Sequence, residues 1–108
     1  MIVKLYTIRD VQADRAIQPI LRENEGIAVR DFEQMMHDTS PFNNNPDDYV
    51  LYYIGEWNDE TMHIVPSDPT RIIDGLSAFR NRANRIQRVQ ELQMDIEDII
   101  NVSPGGTD

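Results

Sequence analysis

Tyr49-Val50-Leu51-Tyr52-Tyr53-Ile54-Gly55-Glu56-Trp57 is a nearly continuous run of aromatic and β-branched residues. Side chains so bulky at Cβ favour extended backbone, so this segment anchors any fold as a strand. Asn58-Asp59-Glu60 supplies turn formers, and Thr61 to Val65 reads as a returning strand. The pair is a hairpin, though not of the tight Asn-Gly kind. An isolated hairpin is only marginally stable, so other elements must cover it.

Ile2-Val3-Lys4-Leu5-Tyr6-Thr7-Ile8 is a second strand candidate, closed by Asp10. Arg15 to Arg22 has helical spacing at Ala16, Ile17, Ile20 and Leu21, but Pro19 would break a helix there; an extended edge strand tolerates that proline. Asn24 is a good N-cap for a helix over about 25–38, with Glu25 in its first turn. Ala28, Phe32, Met35 and Met36 share one face of it. Thr39 to Asp48 is loop by composition. Pro66-Ser67-Asp68-Pro69 is expected to end the sheet, with Asp68 capping a helix that begins at Pro69. Ile72, Ile73, Leu76, Phe79, Ala83, Ile86 and Val89 recur at helical steps, and the phase shifts before Leu92, Ile96, Ile99 and Ile100. One long helix with a stutter and two helices broken near Gly75 or Gln90 fit equally well.

This order predicts an α+β fold: an antiparallel sheet of three to four strands, one covering helix and a C-terminal amphipathic helix. The expected division is a core domain over 1–66, a helical segment over 67–101 serving oligomerisation or ligand contact, and a disordered tail over 102–108. In 108 residues, 40% of them apolar, a modest core is available. No apolar run approaches the roughly 20 residues of a membrane helix, and the start has no signal-peptide pattern, so no membrane partner is expected.

Cysteine is absent, which removes thiolate nucleophiles, disulfides and Cys-based zinc sites. His37 and His63 are far apart and lack ligand spacing. Asp47, Asp48, Asp59 and Glu60 read as turn formers rather than a calcium loop. No nucleophile, base and orienter stand in a recognisable pattern. The expectation is a protein that is not an enzyme and has no catalytic residues, no metal, no cofactor and no small-molecule substrate.

Net charge is −9, which argues against a polyanion partner. The distribution is uneven. Residues 1–69 carry five basic and thirteen acidic groups, a balance of −8. Residues 70–89 carry five arginines and one acid, +4, and residues 90–108 carry −5. Nine of the ten basic residues are arginine, which forks onto phosphate and stacks on bases better than lysine.

Pro46-Asp47-Asp48-Tyr49-Val50-Leu51-Tyr52-Tyr53-Ile54-Gly55-Glu56-Trp57-Asn58-Asp59 resembles the Pro-x-Asp-Tyr/Phe-x-Leu-x-x-Ile-Gly-x-Phe/Trp-Asp pattern of the small nonstructural DNA-binding proteins of gokushoviruses, single-stranded-DNA phages of the microvirus group. Lys4 to Asp10 is similar to that family's opening strand. Ala28-Val29-Arg30-Asp31-Phe32 resembles its Ala-x-Arg-x-Phe helix, and Ser40-Pro41-Phe42 its loop. Together these cover about residues 3–66, and the chain departs from the pattern after Pro66. The resemblance implies a phage-encoded, non-capsid protein of the host bacterial cytoplasm. It implies single-stranded-DNA binding at the switch from duplex to single-stranded genome synthesis.

On that reading Tyr6, Tyr52, Tyr53 and Trp57 offer stacking surfaces, since every base has a π-face. Tyr49 is a further candidate. Alternation puts Tyr49, Tyr53 and Trp57 on one face and Tyr52 on the other. The competing reading of each is core packing. Lys4, Arg9, Arg15, Arg22 and Arg30 are candidate phosphate contacts, with Lys4 and Tyr6 on one side of their strand; ordinary solvated charge is the alternative. Arg80, Arg82, Arg85 and Arg88, with Arg71, form the basic block. They could grip a backbone, lie on a helix surface, or pair with a neighbouring subunit's 91–98 acids. A further possibility has the acidic end occupying the site until DNA displaces it. The expected protein is a sequence-tolerant single-stranded-DNA binder acting as a homo-oligomer. The alternative is a non-catalytic assembly or host-interaction protein that oligomerises through its C-terminal helix.

Overall fold

The computed structural model describes the backbone of residues 1–102 and the side chains of residues 1–95. Strand β1 spans Ile2–Asp10, β2 Arg15–Ala16, β3 Ile20–Arg22, β4 Tyr49–Asn58 and β5 Ile64–Asp74. Helix α1 spans Glu25–Asp38 and α2 Gly75–Val102. The strands form one antiparallel sheet in which β1 and β4 are central, β5 lies on one edge, and β2 and β3 share the other. The fold is α+β, as the sequence predicts.

Both helices cover the same side of this sheet. Tyr6 and Ile8 of β1, Leu51 of β4, Ala28, Phe32 and Met36 of α1 and Ala78 of α2 close a single core. Phe32, Ile8 and Met36 are wholly out of solvent, and burying each large apolar side chain contributes about 1.5–3 kcal/mol. Helix α1 starts where predicted: Oδ1 of Asn24 accepts the Ile27 N–H at 2.9 Å. The edge strand carrying Pro19 is split into β2 and β3, and Ile17-Gln18-Pro19 lies between them. Proline there removes no ladder hydrogen bond.

The sheet does not end at Pro66. Strand β5 runs on to Asp74 because Thr70-Arg71-Ile72-Ile73 is β-branched and pairs with Leu51–Tyr53 of β4. The two prolines flank a break in that ladder, on an edge strand where they are tolerated. The cap of α2 is therefore Asp74, not Asp68: its Oδ1 accepts the Ser77 N–H at 2.8 Å. That bond holds the Asp74 carboxyl below the usual carboxylate range. The returning strand starts at Ile64 rather than Thr61. Asn58 Oδ1 takes the Glu60 and Thr61 amides, and Met62 adopts a left-handed φ of 65°, so the turn is longer than expected. Helix α2 begins at Gly75, where β5 ends, and continues through Gln90 without a break. Its first turns pack on the body, whereas Val89, Leu92 and Met94 are more than half exposed. The tail expected over 102–108 lies outside the described residues, apart from Val102.

Candidate nucleic-acid interface

The aromatic residues separate onto two faces, and a bulge decides how. Between β1 and β4 the register runs Tyr6 with Tyr53, then Leu5 with Gly55, leaving Ile54 without an opposite number. A bulge shifts the side-chain period by one, so residues beyond it change face. Gly55 has φ +151°, and a Cβ there would sit 2.5 Å from the Val65 carbonyl oxygen. Trp57 consequently pairs with Val3 and Ile64, on the side opposite Tyr53. Strict alternation put Trp57 with Tyr49 and Tyr53; the bulge corrects that placement.

Tyr6 is corrected as well. It is 1% exposed, inside the core, and stacks edge-on against Tyr53 at 5.6 Å. Burial raises its phenol pKa, with Glu25 and Tyr53 adding to the effect. Tyr53 lines the same core. Neither offers a free stacking surface. Lys4 shares the helix-covered side with Tyr6, so the expected pairing of charge and open ring is absent.

The side away from the helices carries a different set, in which Thr7 is itself buried and donates its hydroxyl to the Ile17 carbonyl at 2.9 Å. Register places Thr7, Tyr52 and Arg71 in one row across three strands, and Val3, Trp57 and Ile64 in another. Between them lies the row of Leu21, Leu5, Gly55 and Pro66. Thr7 and Val3 are four residues apart on β1, so the two aromatic rows are separated by about 13 Å. The glycine between them contributes no side chain. Arg9 and Arg71 border this apolar, aromatic surface. Arg9 pairs with Asp14, and Arg71 lies 4.0 Å from Asp74, both at exposed sites where such pairs are weak. Sequence reasoning had no means of selecting Arg71 as the partner of Tyr52, because that pairing depends on β5 extending past Pro69.

The remaining basic residues gather elsewhere. Arg82 donates to Asp38 at 2.9 Å, and Arg85 is bonded to the buried carboxylate of Glu33. These partners lie on α1 of the same chain, a pairing the sequence pattern did not suggest. His37 and Arg82 hold the Asp38 carboxyl below its ordinary pKa, His37 foremost. Arg22 pairs with Asp31 across the rim of α1. Among the described residues Lys4, Arg15, Arg30, Arg80 and Arg88 make no ion pair. Arg15 lies on the far edge in β2, and Arg80 is exposed on α2. The thirteen predicted contact residues thus divide between the open sheet face, the α1–α2 side, the far edge and the core, rather than forming one groove.

Among the described residues no cluster of His, Asp or Glu is placed to hold a metal ion, and no helix is long and apolar enough to cross a membrane. Residues 3–78 match the family model described as "Phage ORF5 protein". The match begins in β1 and ends in the first turn of α2, so it takes in α1 and all of the sheet except Ile2. Comparison with curated proteins and with solved structures gave no match.

Proposed function

The chain belongs to the phage ORF5 protein family, and from that premise we propose that it is a non-catalytic, sequence-tolerant binder of single-stranded DNA, of the gokushovirus nonstructural type. It acts in the host bacterial cytoplasm during phage genome replication, at the switch to single-stranded synthesis, as a homo-oligomer. The observation that supports this reading most is the helix-free sheet face. Tyr52 and Trp57 stand there about 13 Å apart, with arginine at the border. Two aromatic platforms flanked by guanidinium groups suit a strand whose bases are free to stack and whose phosphates are evenly spaced. A duplex offers no free base faces to such a surface. The net charge of −9 weakens long-range attraction, so local contacts must carry the affinity, and several copies acting together would raise it.

A fluorescence-anisotropy titration with oligothymidine tests the proposal. Binding should be tighter to the single strand than to duplex. The logarithm of affinity should fall with the logarithm of salt at about −0.7 per phosphate neutralised, about −1.4 for Arg9 and Arg71 alone. No binding to oligothymidine at low salt removes the reading.

The second reading is a non-catalytic assembly or host-interaction protein. The apolar side chains of Val89 and Leu92, 61% and 58% exposed on α2, favour it. Leu92→Glu should dissociate an oligomer held together by this stretch, visible as a lower mass in sedimentation equilibrium. If Leu92→Glu leaves mass unchanged while oligothymidine still binds, α2 is not the assembly surface.

A further inference from the structure

The side of the molecule where α2 crosses α1 has properties the sheet face lacks. Arg30, Arg82 and Arg85, with Asp31 and Gln34, line a cavity of about 270 Å³. One water occupies about 30 Å³ in the liquid, so the space admits a tetrahedral oxyanion with some of its hydration. Arg85, Arg88, Asn81 and Asn84 line an adjoining cavity with Glu33. This is a cluster of donors in a chain that is otherwise strongly acidic.

The carboxylates nearby are already engaged. Asp31 accepts from Arg22, Glu33 from Arg85, and Asp38 from Arg82 and from the His37 ring. Arg82 and Arg85 each spend one terminal nitrogen on these bonds, out of the five N–H donors a guanidinium carries. The Arg82 Nε is buried and has no acceptor among the described residues. A buried donor without a partner loses about 1–3 kcal/mol relative to a satisfied one. Arg30 makes no ion pair among the described residues. Counting Arg22, Arg30, Arg82, Arg85 and Arg88 against Asp31, Glu33 and Asp38, the region is positive by two charges.

The pairing also fixes the arginines in place. Glu33 is 4% exposed, so its bond to Arg85 is well shielded, and Arg82 is tied to Asp38. Guanidinium groups immobilised before a ligand arrives lose little rotamer entropy when it binds. Fixed forks of this kind suit phosphate oxygens, which accept two parallel N–H bonds from one guanidinium.

We infer that the notch between α1 and α2 is a phosphate-binding site, built by Arg30, Arg82 and Arg85. The phosphate it takes is either a backbone group of a bound strand or a free phosphate ion. The site stands independently of the stacking face, and its test is separable from that of DNA binding.

The probe is inorganic phosphate. Thermal midpoints are compared in phosphate and in chloride at equal ionic strength, for the wild-type protein, Arg30→Gln and Arg15→Gln. The two variants lose the same charge, but only Arg30 borders the notch, and neither breaks an ion pair. Phosphate at ten times its Kd should raise the wild-type and Arg15→Gln midpoints by about 6 °C more than that of Arg30→Gln. General stabilisation by phosphate acts on all three alike and cancels. Oligothymidine titrations of the same proteins then identify the source. A salt slope shallower by about 0.7 in Arg30→Gln assigns the site to a backbone phosphate; an unchanged slope assigns it to the free ion. Equal phosphate shifts in all three proteins, or none, overturn the site. Failure of oligothymidine to bind refutes the DNA reading alone, because the thermal comparison still decides the notch.

Discussion

Gly55→Ala is expected to destabilise the fold by about 3 kcal/mol, lowering the thermal midpoint by about 12–24 °C. Two independent penalties act at this position. The backbone has φ +151°, a region essentially closed to any residue with a Cβ. The added methyl would also meet the Val65 carbonyl oxygen at 2.5 Å and the Pro66 Cα at 3.1 Å, and both are backbone atoms of the paired strand. A flexible side chain could swing aside, but a ladder partner cannot move without breaking its hydrogen bonds. Relief requires either loss of the bulge or separation of β4 from β5. Losing the bulge would return the strand to strict alternation and turn Trp57 toward the helices. The variant should therefore lose oligothymidine affinity beyond what its unfolded fraction explains. A midpoint within 3 °C of wild type would show that the bulge does not depend on this glycine.

The same bulge explains why the elements of this fold are legible in the sequence while the composition of its open sheet face is not. Local signals act over a few residues. Asn24 capping α1, Ala28, Phe32 and Met36 on its inner face, and the β-branched run of β4 all express such signals, and all appear as predicted. The assignment of side chains to faces depends instead on register, which a single inserted residue reverses. Ile54-Gly55 carries a faint mark of this, since a lone glycine inside a strand pattern often signals a bulge. Pro66 and Pro69 misled for a related reason. They are punctuation in a local reading, but on an edge strand they interrupt the ladder without ending it. The ion pairs Arg82–Asp38 and Arg85–Glu33 span 44 and 52 residues and follow only from the docking of α2 on α1. Charge counting finds the basic block, but partners 44 and 52 residues away on α1 leave no mark in a local charge pattern.

Replacing Tyr52 and Trp57 together by leucine is expected to weaken oligothymidine binding by about 30-fold or more. Each base stacked on an aromatic ring is worth about 1–3 kcal/mol, and two such contacts are removed. Leucine keeps an apolar side chain against Val3, Ile64 and the neighbouring strands, so sheet packing is largely retained. Tyr53→Leu is the matching control. Tyr53 faces the core and stacks edge-on with Tyr6, so its loss should lower the thermal midpoint while leaving the affinity of the folded protein unchanged. The contrast between Tyr52 and Tyr53, adjacent in sequence and opposite in orientation, separates stacking on the open face from general damage to the strand. Trp57 is the only tryptophan in the chain, so its emission reports on that face directly. Oligothymidine should quench it in the wild-type protein and in Tyr53→Leu alike. Binding that persists at wild-type strength in the double variant would move the DNA off the sheet, leaving the arginines beside α1 and α2 to carry it.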